Sequence, residues 1–169
     1  LRAGEIAGLQ WQDINYQLGR LRVCRQMQEG VVIPPKWGSI RNVPLTGRLA
    51  KALKVHRHLQ GEYVLMVGKT VRGLTSTGPW TKEVLRWRGR RLYELASLPQ
   101  PGKPWHALRH TFCSHLAMRG VPPTTIQELA GHKSLQTTMR YMHLSPPAKV
   151  DAISKLNEPH PFQAEKVHA

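Results

Sequence analysis

Six residues of this chain carry side chains suited to one reaction: Arg2, Lys36, His106, Arg109, His132 and Tyr141. Arg2 lies in LRAGE, Lys36 in PPKWGSIRNVPL, and His106 and Arg109 share HALRHTF. His132 follows Gly131 in LAGHKSL, and Tyr141 closes the run in TTMRYMHL. Two guanidiniums can fork onto the non-bridging oxygens of a phosphodiester and neutralise charge that grows in the transition state. A lysine can protonate the departing oxygen, while a tyrosine oxygen attacks phosphorus and holds it as a covalent ester. The set therefore suits phosphodiester cleavage without a metal ion.

Taken singly, each residue has a plainer reading. Arg2 and Glu5 are three apart and would pair on any helix surface, for a few tenths of a kcal/mol. A lysine in a Gly/Pro-rich turn is ordinarily solvated, and Tyr141 lies among apolar Met139, Met142 and Leu144. His106 and His110 have the i,i+4 spacing of a helical zinc pair. HALRH lacks the glutamate of H-E-x-x-H, however, and Arg109 would repel a cation, so no metal site is expected.

In order and spacing, LRAGEIAGLQWQDI, the turn carrying Lys36 ahead of RNVPL, HALRHTFCSHLAMRG and ELAGHKSLQTTMRYMHL resemble the tyrosine recombinase (phage integrase) family up to about Ser145. The resemblance implies that Arg2, Lys36, His106, Arg109, His132 and Tyr141 take the catalytic positions, with Glu5 supporting them. It implies a 3′-phosphotyrosyl intermediate on Tyr141 and a free 5′-hydroxyl. Lys36 would be the general acid, and His106 would orient the phosphate or accept the tyrosine proton. No cofactor is implied. Family members act as homotetramers on paired double-stranded DNA sites, and residues 146–156 resemble the terminal helix that docks between protomers. The resemblance also implies further sequence ahead of Leu1. The expected organisation is a catalytic domain over 1–157 lacking its N-terminal portion, followed by a polar tail over 158–169. A non-catalytic DNA-binding remnant and a type IB topoisomerase are the competing readings.

Charge points the same way. Lysine and arginine number 25 against 10 acidic residues, a formal net charge of +15, which favours a polyanionic partner. Arg41, Lys133 and the cluster Arg86, Arg88, Arg90 and Arg91 are expected against the DNA backbone. No long apolar run or Lys-rich amphipathic end points to a membrane. Cys24 and Cys113 make a poor disulfide framework, so a cytoplasmic, nucleoid-associated protein is expected.

The elements that must position these residues predict an α+β fold, mainly α-helical, with a small three-stranded antiparallel sheet carrying Lys36. Helix is predicted over 2–10, and strands over 21–23, 31–33 and 40–45 between Gly, Pro and Ser turns. Thr46 is a natural cap for a helix to about Leu59. The stretch 64–67 is too short to assign. A helix over 80–96 directs Val84, Leu85, Leu92 and Leu95 to the core and its arginines outward. After a rigid connector at 99–104, helices follow over 106–119, 123–130, 135–142 and 147–156. In the first of these, Leu108, Phe112 and Leu116 share one face, expected in the core. His106, Arg109, His110 and Cys113 share the opposite face, expected to look into a cleft. Periodicity does not decide which histidine meets phosphate; the family pattern assigns His106 and leaves His110 a supporting, packing role.

Overall fold

The computed structural model describes residues 1–59, 61–71, 74–145 and 153–154. Helix α1 (Ala3–Ala7) starts at Arg2, whose amide donates to Glu5 Oε2 at 2.7 Å, so the acid caps its own first turn. Strands β1 (Ile14–Asn15), β2 (Arg20–Val23), β3 (Gln26–Gln28), β4 (Val31–Ile33) and β5 (Arg41–Pro44) follow. An antiparallel sheet of order β1-β2-β5 pairs Leu21 with Ile14 on one side and Val43 on the other. β4 does not join it, contrary to expectation; it pairs with β3 as a separate ribbon. The ladder breaks at residues 24–25, whose side chains turn to the buried Asp13. Cys24 Sγ lies 3.4 Å from Oδ1, and Arg25 Nη1 donates to Oδ2 at 2.5 Å. Lys36 therefore sits in the single 3₁₀ turn (Lys36–Gly38) that links ribbon to sheet, and not on the sheet itself.

Helix α2 (Gly47–His56) is capped as expected, Thr46 Oγ1 accepting from the Leu49 amide at 3.2 Å. It lays Leu53 into a core cluster with Leu9, Trp11, Ile14, Leu21, Val23 and Val64. An antiparallel pair, β6 (Met66–Val71) and β7 (Leu74–Pro79), follows. Its second strand reads Leu-Thr-Ser-Thr-Gly-Pro, too polar and glycine-bearing to announce itself. Helix α3 (Lys82–Leu95) buries only Leu85 and Gly89. A Cβ at Gly89 would lie 2.9 Å from Trp105 Nε1, so the glycine permits a close crossing at the start of the next helix. Leu92 and Leu95, expected in the core, are instead 48% and 68% exposed, because the crossing is narrow and lies one turn earlier.

Helices α4 (Pro104–Met118), α5 (Pro123–Ala130) and α6 (Leu135–Met139) form the second half. Here α4 is rotated relative to expectation. Leu108 and Phe112 are 44% and 39% exposed, while Cys113 and Ala117 are fully buried against Ile126 and Ala130 of α5. Small side chains at 113 and 117 let α5 approach closely, and Arg109, one turn earlier on that stripe, is carried inward with them. The expected helix over 147–156 and the tail over 158–169 lie outside the described residues, apart from helical 153–154.

Candidate active site

The site is assembled around one buried carboxylate. Glu5 is 1% exposed and binds two arginines, one three residues before it and one 36 residues after it. Arg2 Nη1 donates to Oε1 at 2.9 Å; Arg41 Nη1 donates to Oε1 at 3.1 Å and Nη2 to Oε2 at 2.8 Å. Burial alone would push the carboxyl up, but the hydrogen bonds from Arg41 and from the Arg2 amide outweigh it and hold it at about 2. This folded value lies below the ordinary 4.5, so the ionised form stabilises the fold fully above about pH 4.5 and loses that contribution as pH falls through about 2. Glu5→Gln should flatten this part of a urea-unfolding series measured from pH 2 to 7. Glu5→Ala should cost about 3–5 kcal/mol at neutral pH, since it strands a buried guanidinium. A loss below about 1 kcal/mol would mean that the Arg41 charge finds solvent.

Arg41 is thereby corrected. Expected on the DNA backbone, it is 8% exposed, and its remaining donors reach Leu129 O and Ser39 O. It ties β5 to the end of α5.

That end is built by a glycine. Gly131 adopts φ +71°, and its amide meets Glu128 O at 3.0 Å while the His132 amide meets Gln127 O at 3.0 Å. This is the left-handed termination that glycine favours. A Cβ here would also lie 2.7 Å from Arg41 Nη1. The freed carbonyl of Gly131 accepts from Arg2 Nη2 at 2.6 Å, so one turn both stops α5 and holds the first arginine. His132 comes next, half-buried, its Nδ1 2.9 Å from Oγ1 of the buried Thr138 on α6. Burial first, then the charges of Arg109 and Arg2, push its imidazole down to about 4. His132 is thus uncharged at neutral pH and brings hydrogen bonding, not a further positive charge.

Tyr141 follows α6 and stacks on His132, with ring centroids 6.3 Å apart and planes 8° from parallel. Its Oη lies 2.5 Å from His110 Nδ1. Burial, followed by the neighbouring Cys113 thiol, pushes the phenol up, so it enters any reaction protonated. Arg109 lies among these groups. Its Nη1 is buried and has no hydrogen-bond partner among the described residues, and burial together with the Arg2 charge disfavours its cation. A desolvated guanidinium nitrogen without a partner is costly, and an anionic oxygen would relieve it. His106 is exposed one turn before His110, with ring centroids 6.5 Å apart, and partial burial followed by the Lys103 charge lowers its imidazole.

Lys36 stands at the rim, exposed, with Nζ 5.4 Å from the Trp37 ring centroid. Lys133, beside His132, places its Nζ 4.2 Å from the same ring. The Trp37 backbone adopts φ +66°, and its indole lies between the Lys36 and Lys133 ammonium groups. Arg86, Arg88, Arg90 and Arg91 are all exposed on α3. Arg91 pairs with Glu94 at 3.1 Å and Arg88 stacks on Trp87. Arg86 lines an open cleft of about 430 Å³ that reaches Lys103, Trp105 and His106.

Residues 1–147 match the sequence model of the phage integrase family. The chain belongs to that family. A tyrosine recombinase XerC-like protein of Caldanaerobacter subterraneus subsp. tengcongensis is 32% identical, over 94% of this chain and 46% of its own length. A tyrosine recombinase of Thermosipho africanus is 31% identical, over 92% of this chain and 50% of its own. The chain spans about half the length of the curated relatives it matches. In fold it is similar to the Tn1549 transposon integrase in complex with a circular intermediate DNA, with a TM-score of 0.70 at 22% identity, over 93% of this chain and 54% of that one.

Within this phage integrase domain, the structure brings Arg2, Glu5, Arg109, His132, Tyr141, His106 and His110 into one neighbourhood, with Lys36 at its edge. Two features of the site escaped the sequence reading. The Glu5–Arg41 pair spans 36 residues and carries no local signal. The contact of Tyr141 with His110, in place of His106, was left open by periodicity, which put both histidines on one face.

Proposed function

We propose that this domain performs site-specific DNA recombination, cleaving and rejoining double-stranded DNA through a 3′-phosphotyrosyl intermediate on Tyr141. One observation carries the reading: the Tyr141 hydroxyl meets His110, its ring stacks on His132, and Tyr141 and His132 both feel the charge of Arg109, whose buried Nη1 has no hydrogen-bond partner among the described residues. Arg109 and Arg2 bind the non-bridging oxygens, and neutral His132 adds a hydrogen bond as the phosphorus becomes pentacoordinate. His106 orients the phosphate from the cleft side. Lys36, brought in from the rim by DNA, protonates the departing 5′-oxygen. The phosphotyrosyl ester conserves the energy of the broken bond, so a 5′-hydroxyl from a second strand can reverse the step without an external energy source. On this reading the domain covers 1–157, the tail over 158–169 takes no part in chemistry, and Lys133 with the α3 arginines follows the backbone. Four copies assemble on paired sites, each terminal helix docking on a neighbour, on nucleoid DNA in the cytoplasm. Among the described residues no helix is long and apolar enough to cross a membrane.

The test is a labelled duplex nicked near its cleavage site, offered to the chain within the full reading frame that encodes it. A denaturing-gel adduct is expected; failure to form one across a library of target sites would sink the cleavage reading. Relaxation of supercoiled DNA with no site preference would point to a topoisomerase instead. Binding by the 169-residue chain itself should be weakly sequence-selective, its log affinity falling steeply and linearly with log salt, because a formal charge of +15 makes phosphate contacts dominate. Titration at two salt concentrations measures the slope, and affinity indifferent to salt would contradict a backbone-driven interface.

A further inference from the structure

We infer that His110 is the proton acceptor of the nucleophile, taking the Tyr141 hydroxyl proton as the tyrosine oxygen attacks phosphorus. The inference rests on the cleavage reading above and goes beyond it in naming the base. The geometry is direct: Tyr141 Oη lies 2.5 Å from His110 Nδ1, within the range of a hydrogen bond along which a proton can pass. The two rings are tilted at 43°, with centroids 5.8 Å apart, so the contact runs through the polar atoms and is not a stack. The other imidazoles near the phenol are placed for other work. His132 stacks flat on Tyr141 and turns its Nδ1 to Thr138 Oγ1 at 2.9 Å. His106 sits one turn further back on α4, and its ring neighbours that of His110.

The phenol needs such a partner, because burial raises it and holds the proton on Oη. His110 is exposed, at the open side of the site, where its imidazolium would be solvated after it forms. The step balances. The Oη–H bond breaks and its proton moves to Nδ1, which requires the tautomer carrying hydrogen on Nε2. Oη bonds to phosphorus, the bond from phosphorus to the 5′-oxygen breaks, and that oxygen takes its proton from Lys36. On rejoining, His110 returns the proton to Tyr141.

The experiment measures single-turnover adduct formation on the nicked duplex, using the full reading frame, with DNA affinity recorded alongside. His110→Ala is expected to slow the adduct on the order of 10²–10⁴-fold at unchanged affinity, with added imidazole restoring much of the loss. His110→Gln can hold the phenol by a hydrogen bond but cannot take its proton, and should be as slow as His110→Ala. Wild-type speed in His110→Gln would reduce His110 to a holder of the ring and overturn the inference. Wild-type speed in His110→Ala, or a slow His110→Ala that imidazole leaves unchanged, would overturn it as well. In each of these cases a wild-type adduct that disappears in Tyr141→Phe keeps the cleavage reading intact. Absence of any wild-type adduct would remove both.

Discussion

Tyr141→Phe is expected to abolish covalent attachment to DNA while leaving folding and DNA affinity nearly unchanged. The ring packs at the edge of the core cluster formed by Cys113, Ala117, Ile126 and Ala130, and it stacks on His132. Phenylalanine keeps both contacts. What disappears is Oη with its hydrogen bond to an exposed histidine and its contact with the Cys113 thiol, a loss of about 0.5–1.5 kcal/mol in stability. On the proposed mechanism chemistry has no such reserve, because among the described residues no other group near Arg109 is poised to attack phosphorus. Cys113 is close, but its side chain is fully buried and burial pushes its thiol up, away from the thiolate that attack requires. Retention of labelled DNA on a denaturing gel reads the outcome. Undiminished adduct in the mutant would transfer the nucleophile to another side chain and undo the assignment of the site.

Lys36→Ala should slow cleavage of ordinary DNA on the order of 10²–10⁴-fold, since an alkoxide leaves poorly without a proton. A substrate with sulfur in place of the bridging 5′-oxygen has a leaving group that needs little proton help, and Lys36→Ala should cleave it at close to the wild-type rate. Arg109→Ala should show no comparable rescue, because its charge acts on the non-bridging oxygens, which the sulfur does not replace. The placement of Lys36 sharpens the contrast. Its ammonium rests on Trp37 at the rim, so the proposed mechanism requires the lysine to swing inward to reach the departing oxygen. Equal slowing of Lys36→Ala on both substrates would make the lysine a backbone contact on that turn and nothing more.

The candidate inventory stood out in the sequence because the chemistry restricts residue types: few reactions use two arginines, two histidines, a lysine and a tyrosine together. Helix α5 was legible to the residue, its start set by Pro123 and its stop by Gly131. What could not be read was which side of a helix meets its neighbour when the buried residues are small. In α4 the large apolar Leu108 and Phe112 outweigh Cys113 and Ala117 in any tally of hydrophobicity, yet the smaller pair is the one that allows close packing against α5. Arg41 failed for a related reason. A basic residue on a short strand reads as surface until its partner is known, and Glu5 lies 36 residues away. The ribbon of β3 and β4 escaped because the break at Cys24 and Arg25 is made by Asp13, in a different turn.

The hydrogen bond from Arg2 to the Gly131 carbonyl closes a loop of 129 residues. Helix α1 has only five residues, too few to persist by itself in water. The arginine that it carries is therefore ordered only once β5, α5 and the Gly131 turn have come together around Glu5. A nascent or half-folded chain already has its excess of positive charge, but not the assembled cluster of Arg2, Glu5 and Arg41. Charge thus precedes an ordered site during folding. On the proposed cleavage reading, that order leaves an immature copy unable to cut DNA.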